Sequence, residues 1–149
     1  MRIVLAGVAG ALLWAAGGCA SDGGDAVDLT FVPDSGGITP ALTGFHATNG
    51  TTTTDTMGNV IFTATSGDQT LTMNVLGPLA VSATPIPLNE QHDSLSFEIK
   101  NGTAGWSSNG GGIIVDGIKP YRVRFDNIPM LVGSGVTGTF TLKGSGVFK

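Results

Sequence analysis

Apolar and polar residues alternate one by one over several segments of the chain. A period of two places successive side chains on opposite sides of an extended backbone, so each such segment predicts a β-strand with one buried face. Segments 60–65 and 112–118 are less regular but rich in residues that favour strands. The clearest alternation puts the following apolar residues on a common face: Leu71, Met73 and Val75; Leu95, Phe97 and Ile99; Tyr121, Val123 and Phe125; and Phe140 and Leu142.

Short runs rich in glycine, asparagine and aspartate separate these segments. Such residues accept the backbone conformations of tight turns, and they occur at 57–59, 66–68, 101–102, 109–112 and 116–117. Beyond the first 20 residues, no stretch shows the 3.6-residue apolar period of a helix. We therefore predict an all-β fold, either an antiparallel β-sandwich or a small barrel.

Three further segments affect the predicted topology. Segment 51–54 is either a strand or an exposed loop. Prolines flank segment 79–84, and because proline lacks the backbone N–H, this segment is either an edge strand or a crossing loop. The last segment, 138–149, predicts a closing strand whose glycines mark a bulge or a bend.

The first residues combine one positive charge, a short apolar run and small residues. Arg2 precedes the apolar run 3–14, which is shorter than the about 20 residues that a membrane-spanning helix needs. Small residues follow the run directly, as in a cleaved signal peptide. We therefore predict that residues 1–18 are a signal peptide and are removed.

The run Ala16-Gly17-Gly18-Cys19 resembles the lipobox of bacterial lipoproteins, in which small residues precede a modified cysteine. The resemblance implies that the signal peptidase recognises Ala16, Gly17 and Gly18, and that the Cys19 thiol carries a lipid with fatty acids such as palmitate. It also implies the outer membrane in an organism that has one, because Asp22 lies two places beyond the position where aspartate favours the inner membrane. The alternative is an ordinary signal peptide, cut near Ala16, that leaves a free thiol.

The remaining chain divides into a linker and a body. Residues 20–28 are small and acidic, so we predict that residues 19–28 form the lipidated cysteine and a flexible linker, and residues 29–149 a single β domain. Only 12% of the residues are charged, and loss of Arg2 with the signal peptide changes the formal net charge from −4 to −5. An acidic chain without a basic stripe predicts no nucleic-acid partner, and the single cysteine excludes an intrachain disulfide.

Candidate catalytic and metal-binding residues are few. His46 and His92 could form a metal or acid–base site with Glu90 or Asp93, but nothing in their spacing requires one. No arrangement of acid, base and nucleophile is visible in the sequence. We therefore predict that the chain is not an enzyme and that it uses neither a cofactor nor a metal.

A candidate interaction surface comprises two aromatic and two basic residues. Trp106 and Tyr121 lie beside small polar residues, and Arg122 and Arg124 belong to one predicted strand, so together they could receive an anionic or a polar partner. The alternative interpretations are a core position for Trp106 and, for the arginines, a solvated sheet face with cross-strand partners such as Glu98.

These features together predict a lipid-anchored protein of the cell envelope. It is expected to act in binding or structural interaction, with the membrane and an envelope protein as partners. The alternative function is a small-molecule binder with an apolar cavity inside a barrel-like body.

Overall fold

The computed structural model describes residues 24–88, 93–99 and 104–149. The predicted signal peptide, Cys19 and part of the predicted linker lie outside the described residues, as do Glu90, His92 and the turn predicted at 101–102. The described residues form eleven β-strands and contain no helix. In chain order the strands are β1 (Val27–Pro33), β2 (Phe45–Ala47), β3 (Gly50–Thr54), β4 (Val60–Ser66), β5 (Gln69–Val75), β6 (Ile86–Pro87), β7 (Ser94–Ile99), β8 (Ala104–Ser108), β9 (Gly112–Ile118), β10 (Tyr121–Val132) and β11 (Phe140–Phe148).

Seven of these strands close into a ring, as their pairing register shows. The row of paired residues that leaves β10 at Tyr121 passes through Phe148 of β11 and Gly50 of β3. It continues across β4, β5, β7 and β8 and returns to β10 at Val132. Because the row returns to the same strand at a different height, the strands are staggered around the ring, as closure of a sheet requires. The predicted all-β fold is confirmed.

Two pairs of strands extend the sheet beyond this ring. β1 pairs with β11 and carries β2 on its other edge, whereas β9 pairs with β10 and carries β6. The pairings among the described strands are antiparallel except that of β11 with β3, where Phe148 pairs with Gly50 in the parallel direction. The antiparallel prediction is therefore corrected at one point, where the end of β11 runs beside the start of β3.

Aromatic and aliphatic side chains fill the interior of the ring. Phe97 belongs to one aromatic cluster, with its ring centroid 4.9 Å from that of Phe31 and 6.3 Å from that of Trp106. Phe62 and Phe148 belong to a second cluster, with centroids 5.1 Å apart. The apolar residues of the four alternating segments are all buried or partly buried in this core, as predicted. Burial of one such large side chain contributes roughly 1.5–3 kcal/mol.

Several predicted boundaries change in the structure. β1 already begins at Val27, so the linker predicted to extend to residue 28 ends earlier, because Val27 is fully buried and pairs with Gly146. The turn predicted at 116–117 is wrong, since both residues lie inside β9 and the chain turns at Lys119 and Pro120 instead. Of the two segments left open, 51–54 belongs to strand β3 and 79–84 is a loop that leads to β6.

The last strand lies very close to the β1 backbone at Gly144. Gly144 has a φ of +145°, and a Cβ at this position would overlap the backbone carbonyl oxygen of Asp28. Opposite this position, the pairing of β10 with β11 shifts between Phe125 and Ile128, and Asn127 adopts a φ of +52°. The extra residue at this shift belongs to β10, and Gly144 itself marks a close approach of the β1 backbone. A bulge or a bend at the glycines of the closing strand stays a prediction.

Candidate interaction surface

Polar side chains form a row across the outer face of β2, β1, β11 and β10. The register places His46 opposite Asp28, Asp28 opposite Ser145, and Ser145 opposite Arg124. Beside this row the surface forms an open groove with a volume of about 570 Å³. The lining of the groove includes Gly24 and Ala26, at the start of the described chain, and Arg122.

Asp116 holds Arg124 in a two-point ion pair. Nε and Nη2 of the guanidinium lie 2.5 Å and 3.0 Å from the two carboxylate oxygens. Asp116 can reach Arg124 because it is the extra residue of a β-bulge, between the pairs that Val115 and Gly117 make with β10, and a bulge redirects the side chain it carries. The hydrogen bond with Asp116, followed by the charge of that carboxylate, raises the pKa of Arg124 above its ordinary value.

A side-chain hydrogen bond joins β1 to β2. The Nδ1 atom of His46 lies 2.5 Å from a carboxylate oxygen of Asp28, and both side chains are 63% exposed. Because Asp28 lies between His46 and Ser145 in the row, the imidazole does not neighbour the serine hydroxyl, as a base and its nucleophile would. In the part of the chain that the structure describes, no group of three or more His, Cys, Asp or Glu could hold a metal ion. The face is suited to hydrogen bonds and ion pairs with a ligand.

Arg122 differs from Arg124 in lacking an ion-pair partner among the described residues. Its side chain is exposed. Its backbone is paired with Val147, whose N–H donates to the carbonyl oxygen of Ala26 over 3.1 Å. The guanidinium of Arg122 therefore lies next to the point where the chain enters β1.

Basic residues are confined to one part of the described surface. They lie on β10 and β11, in the turn before β10 or directly after β11, and are Lys119, Arg122, Arg124, Lys143 and Lys149. We call this outer surface of β1 and β9–β11, which also carries Asp25, Asp28, Asp116 and Asp126, the cationic face. The rest of the described chain contains no Lys or Arg. Its acidic residues are Asp34, Asp55, Asp68, Asp93 and Glu98. The body therefore has an electrostatic polarity.

The structure keeps only part of the predicted interaction surface together. Arg122 and Arg124 are both exposed on the same side of β10, and the partner of Arg124 is Asp116 rather than Glu98. Tyr121 is half-buried and packs against the core. Trp106 is only 2% exposed and donates its indole N–H to the backbone oxygen of residue 138 over 2.8 Å. Trp106 thus belongs to the core, which corrects its assignment to the surface.

Two residues of this face are not identified from the sequence, and a third, His46, is considered there only for a metal or acid–base site. Asp28 is assigned there to the linker and Asp116 to a turn, and His46 is given no partner on a sheet. The alternation of Val27, Asp28 and Leu29 is the signal that would have placed Asp28 on the outer side of a strand. No local pattern shows that β1 pairs with β11, because the two strands lie at opposite ends of the chain.

In comparison with known proteins, no family model, no curated protein and no solved structure matches this chain. The interpretation of the cationic face therefore depends on its own chemistry. None of the described residues belongs to a helix that is long and apolar enough to span a membrane.

Proposed function

We propose that the chain is a lipid-anchored protein of the bacterial cell envelope that acts by binding a partner on its outer surface. The observation that carries this proposal is the lipobox-like run ending at Cys19, five residues before the described body begins at Gly24. Two or three acyl chains hold a protein firmly on a membrane, whereas one chain gives only marginal binding. In an organism with two membranes we assign the anchor to the outer one, because aspartate does not directly follow Cys19.

The short linker supports a position of the body close to the lipid. Five residues span at most about 18 Å when fully extended, so Gly24 stays within that distance of Cys19. Gly24 and Ala26 also line the groove beside Arg122. An anchor at Cys19 would therefore keep the groove near the membrane surface.

The distribution of side chains favours binding on the outside over the alternative of a ligand inside the barrel. The aromatic clusters around Phe97 and Phe62 occupy the interior. The groove beside Arg122 and a smaller concavity of about 220 Å³, which includes Glu98, both open to solvent. Polar and ionic contacts with a partner are thus offered by the surface, where a ligand can reach them without repacking the core.

Acylation of Cys19 tests the proposal directly. The full chain is produced in a bacterium that matures lipoproteins, in the presence of a palmitate analogue that can be detected. We expect label on the wild type and on the control Ser21→Ala, and complete loss of label in Cys19→Ala. Mass spectrometry of the wild type should find Cys19, with its acyl chains, as the first residue. An unmodified thiol, or label that persists in Cys19→Ala, would contradict the proposal.

A further inference from the structure

The linker leaves the body on the side that carries the basic residues. Ala26 is hydrogen-bonded to Val147, and Asp25 is ion-paired with Lys149 at a distance of 2.5 Å. Arg122 is paired with Val147 through its backbone. The chain therefore enters β1 within the cationic face. The rest of the described body has Asp and Glu residues but no Lys or Arg.

The turn between β9 and β10 adds an apolar group to this side. Ile118 is 40% exposed, and it is followed by the exposed Lys119 and, beyond Pro120, by the half-buried Tyr121. Together with Arg122 these residues form a tip, 118–122, in which Ile118 is paired with Tyr121 and Arg122 lies on the outer side of β10. The tip therefore exposes one apolar side chain and two cations at the end of the hairpin. Such a combination suits the interface of a bilayer, where apolar groups reach the acyl chains and basic groups reach the phosphates.

We propose that the tip 118–122 and the cationic face rest on the phospholipid surface, with headgroup phosphates bound by Arg122 and Lys119. This inference depends on the proposed function, because the anchor at Cys19 is what holds the face within reach of the lipid. We assign phosphate binding to Arg122 rather than to Arg124, because the guanidinium of Arg124 is already ion-paired with Asp116. A guanidinium binds phosphate through two parallel hydrogen bonds.

The acidic residues in the rest of the body favour the same orientation, with the cationic face towards the bilayer. Anionic phospholipids attract basic side chains and repel acidic ones, so the surface with Asp68 and Glu98 is directed away from the bilayer. Each cation near an anionic surface strengthens the attraction about fivefold. Loss of both Lys119 and Arg122 should therefore weaken membrane contact by a factor on the order of 25.

Depth-dependent quenching measures this orientation on the mature, acylated protein. A fluorophore is attached either to Ile118→Cys or to Asn109→Cys, in vesicles of phosphatidylcholine with and without phosphatidylglycerol, and spin-labelled lipids serve as quenchers. Asn109 is exposed at the opposite end of β9. We expect strong quenching at position 118, increased by phosphatidylglycerol, and weak quenching at position 109. Equal quenching at the two positions would overturn the proposal.

The role of the two cations is tested separately from the anchor. A form without lipid, the mature chain with Cys19→Ser, is mixed with the same vesicles, and its bound fraction is measured by sedimentation at low salt. Lys119→Gln with Arg122→Gln should reduce binding to phosphatidylglycerol vesicles by the factor given above. In Asn109→Asp one negative charge is added on the far side, and binding should stay near the wild-type value.

The two proposals fail in different ways. If the native protein carries no lipid but the unacylated form still binds through Lys119 and Arg122, the anchor is refuted and the membrane-binding face stands. If the protein is acylated but its unacylated form binds both kinds of vesicle equally, or the double variant binds as the wild type does, the face is refuted and the anchor stands.

Discussion

Two regions of the sheet contrast in regularity. The meander, which comprises β3, β4, β5, β7 and β8, is a succession of antiparallel neighbours whose pairing shows no register shift. The closing region, which comprises β9, β10, β11 and β1, contains the bulge at Asp116, the register shift before Ile128 and the positive φ of Gly144 beside β1. The basic residues that the structure describes and the larger groove are both in the closing region.

The difference indicates what the irregularities do. In the meander, alternation sends apolar side chains such as Leu71, Met73 and Phe97 inward and mostly threonine and serine outward, so these strands mainly build the core. In the closing region, the bulge turns Asp116 towards Arg124, and Gly144 lets β1 lie close enough to β11 for Asp28 to join the outer row. The irregular positions in the closing region therefore bring the polar side chains together on the outer surface.

The largest expected effect comes from adding a side chain at Gly144, where β11 lies against β1. Gly144→Ala would force a Cβ against the carbonyl oxygen of Asp28, at a φ that side chains rarely adopt. Because the obstacle is backbone, we expect a loss of more than about 4 kcal/mol in the free energy of unfolding. Denaturant titration of the purified mature domain measures this loss.

Gly110→Ala is the matched control for this change. Gly110 also has a positive φ, of +87°, but a Cβ there meets nothing within 4 Å. Only the backbone strain remains, about 1–2 kcal/mol. Equal effects of the two substitutions would show that the contact between β1 and β11 does not depend on Gly144.

The next effect tests whether the two regions unfold together. Phe97, on β7 of the meander, packs against Phe31 and Phe140 in the closing region. Its ring centroid lies 4.9 Å from that of Phe31 and 6.4 Å from that of Phe140. Phe97→Ala should cost about 3–5 kcal/mol, whereas Leu131→Ala, at an exposed site, should stay within about 0.5 kcal/mol. Trp106 fluorescence and circular dichroism should give one coincident transition, and two separate transitions would mean that the regions are independent.

The smallest effect concerns a turn of the meander. The carboxylate of Asp55 accepts hydrogen bonds from the backbone N–H groups of Asn59 and Met57 and from the Asn59 side chain. These bonds, that of the Asn59 backbone foremost, lower the pKa of Asp55 below its ordinary value of 3.8. A lowered pKa means that the bonds stabilise the fold above the unfolded-state pKa, and that this contribution is lost as pH falls through the folded-state pKa.

Asp55→Ala should therefore lower the thermal midpoint slightly at neutral pH, and the difference from the wild type should shrink below about pH 4. Differential scanning calorimetry across this pH range measures the change. Asp68→Ala, in the neighbouring turn, provides a comparison, since Asp68 makes no hydrogen bond with another described residue. A deficit that stays constant down to acid pH would contradict the role given to the Asp55 carboxylate.

The same contrast explains how far the sequence could predict the structure. The meander follows from local alternation and turn residues, so Leu71 and Leu95 are correctly placed in the core. The surface is predicted only in part: Arg122 and Arg124 are recognised, but Asp116 is taken for a turn residue because Asp-Gly is also a turn signal. A bulge results from the register between two strands, and that register depends on contacts that the sequence alone does not reveal.

The pairing of β3 with the last strand also determines when the ring can close. Because β1 and β3 both pair with β11, the edge of β3 has no partner until residues 140–148 have been synthesised and released. Folding that depends on such distant contacts is slow, and an unpaired edge meanwhile invites association between chains. The meander is therefore expected to form first and the closing region last, an order that pulse-labelled hydrogen exchange during refolding would reveal.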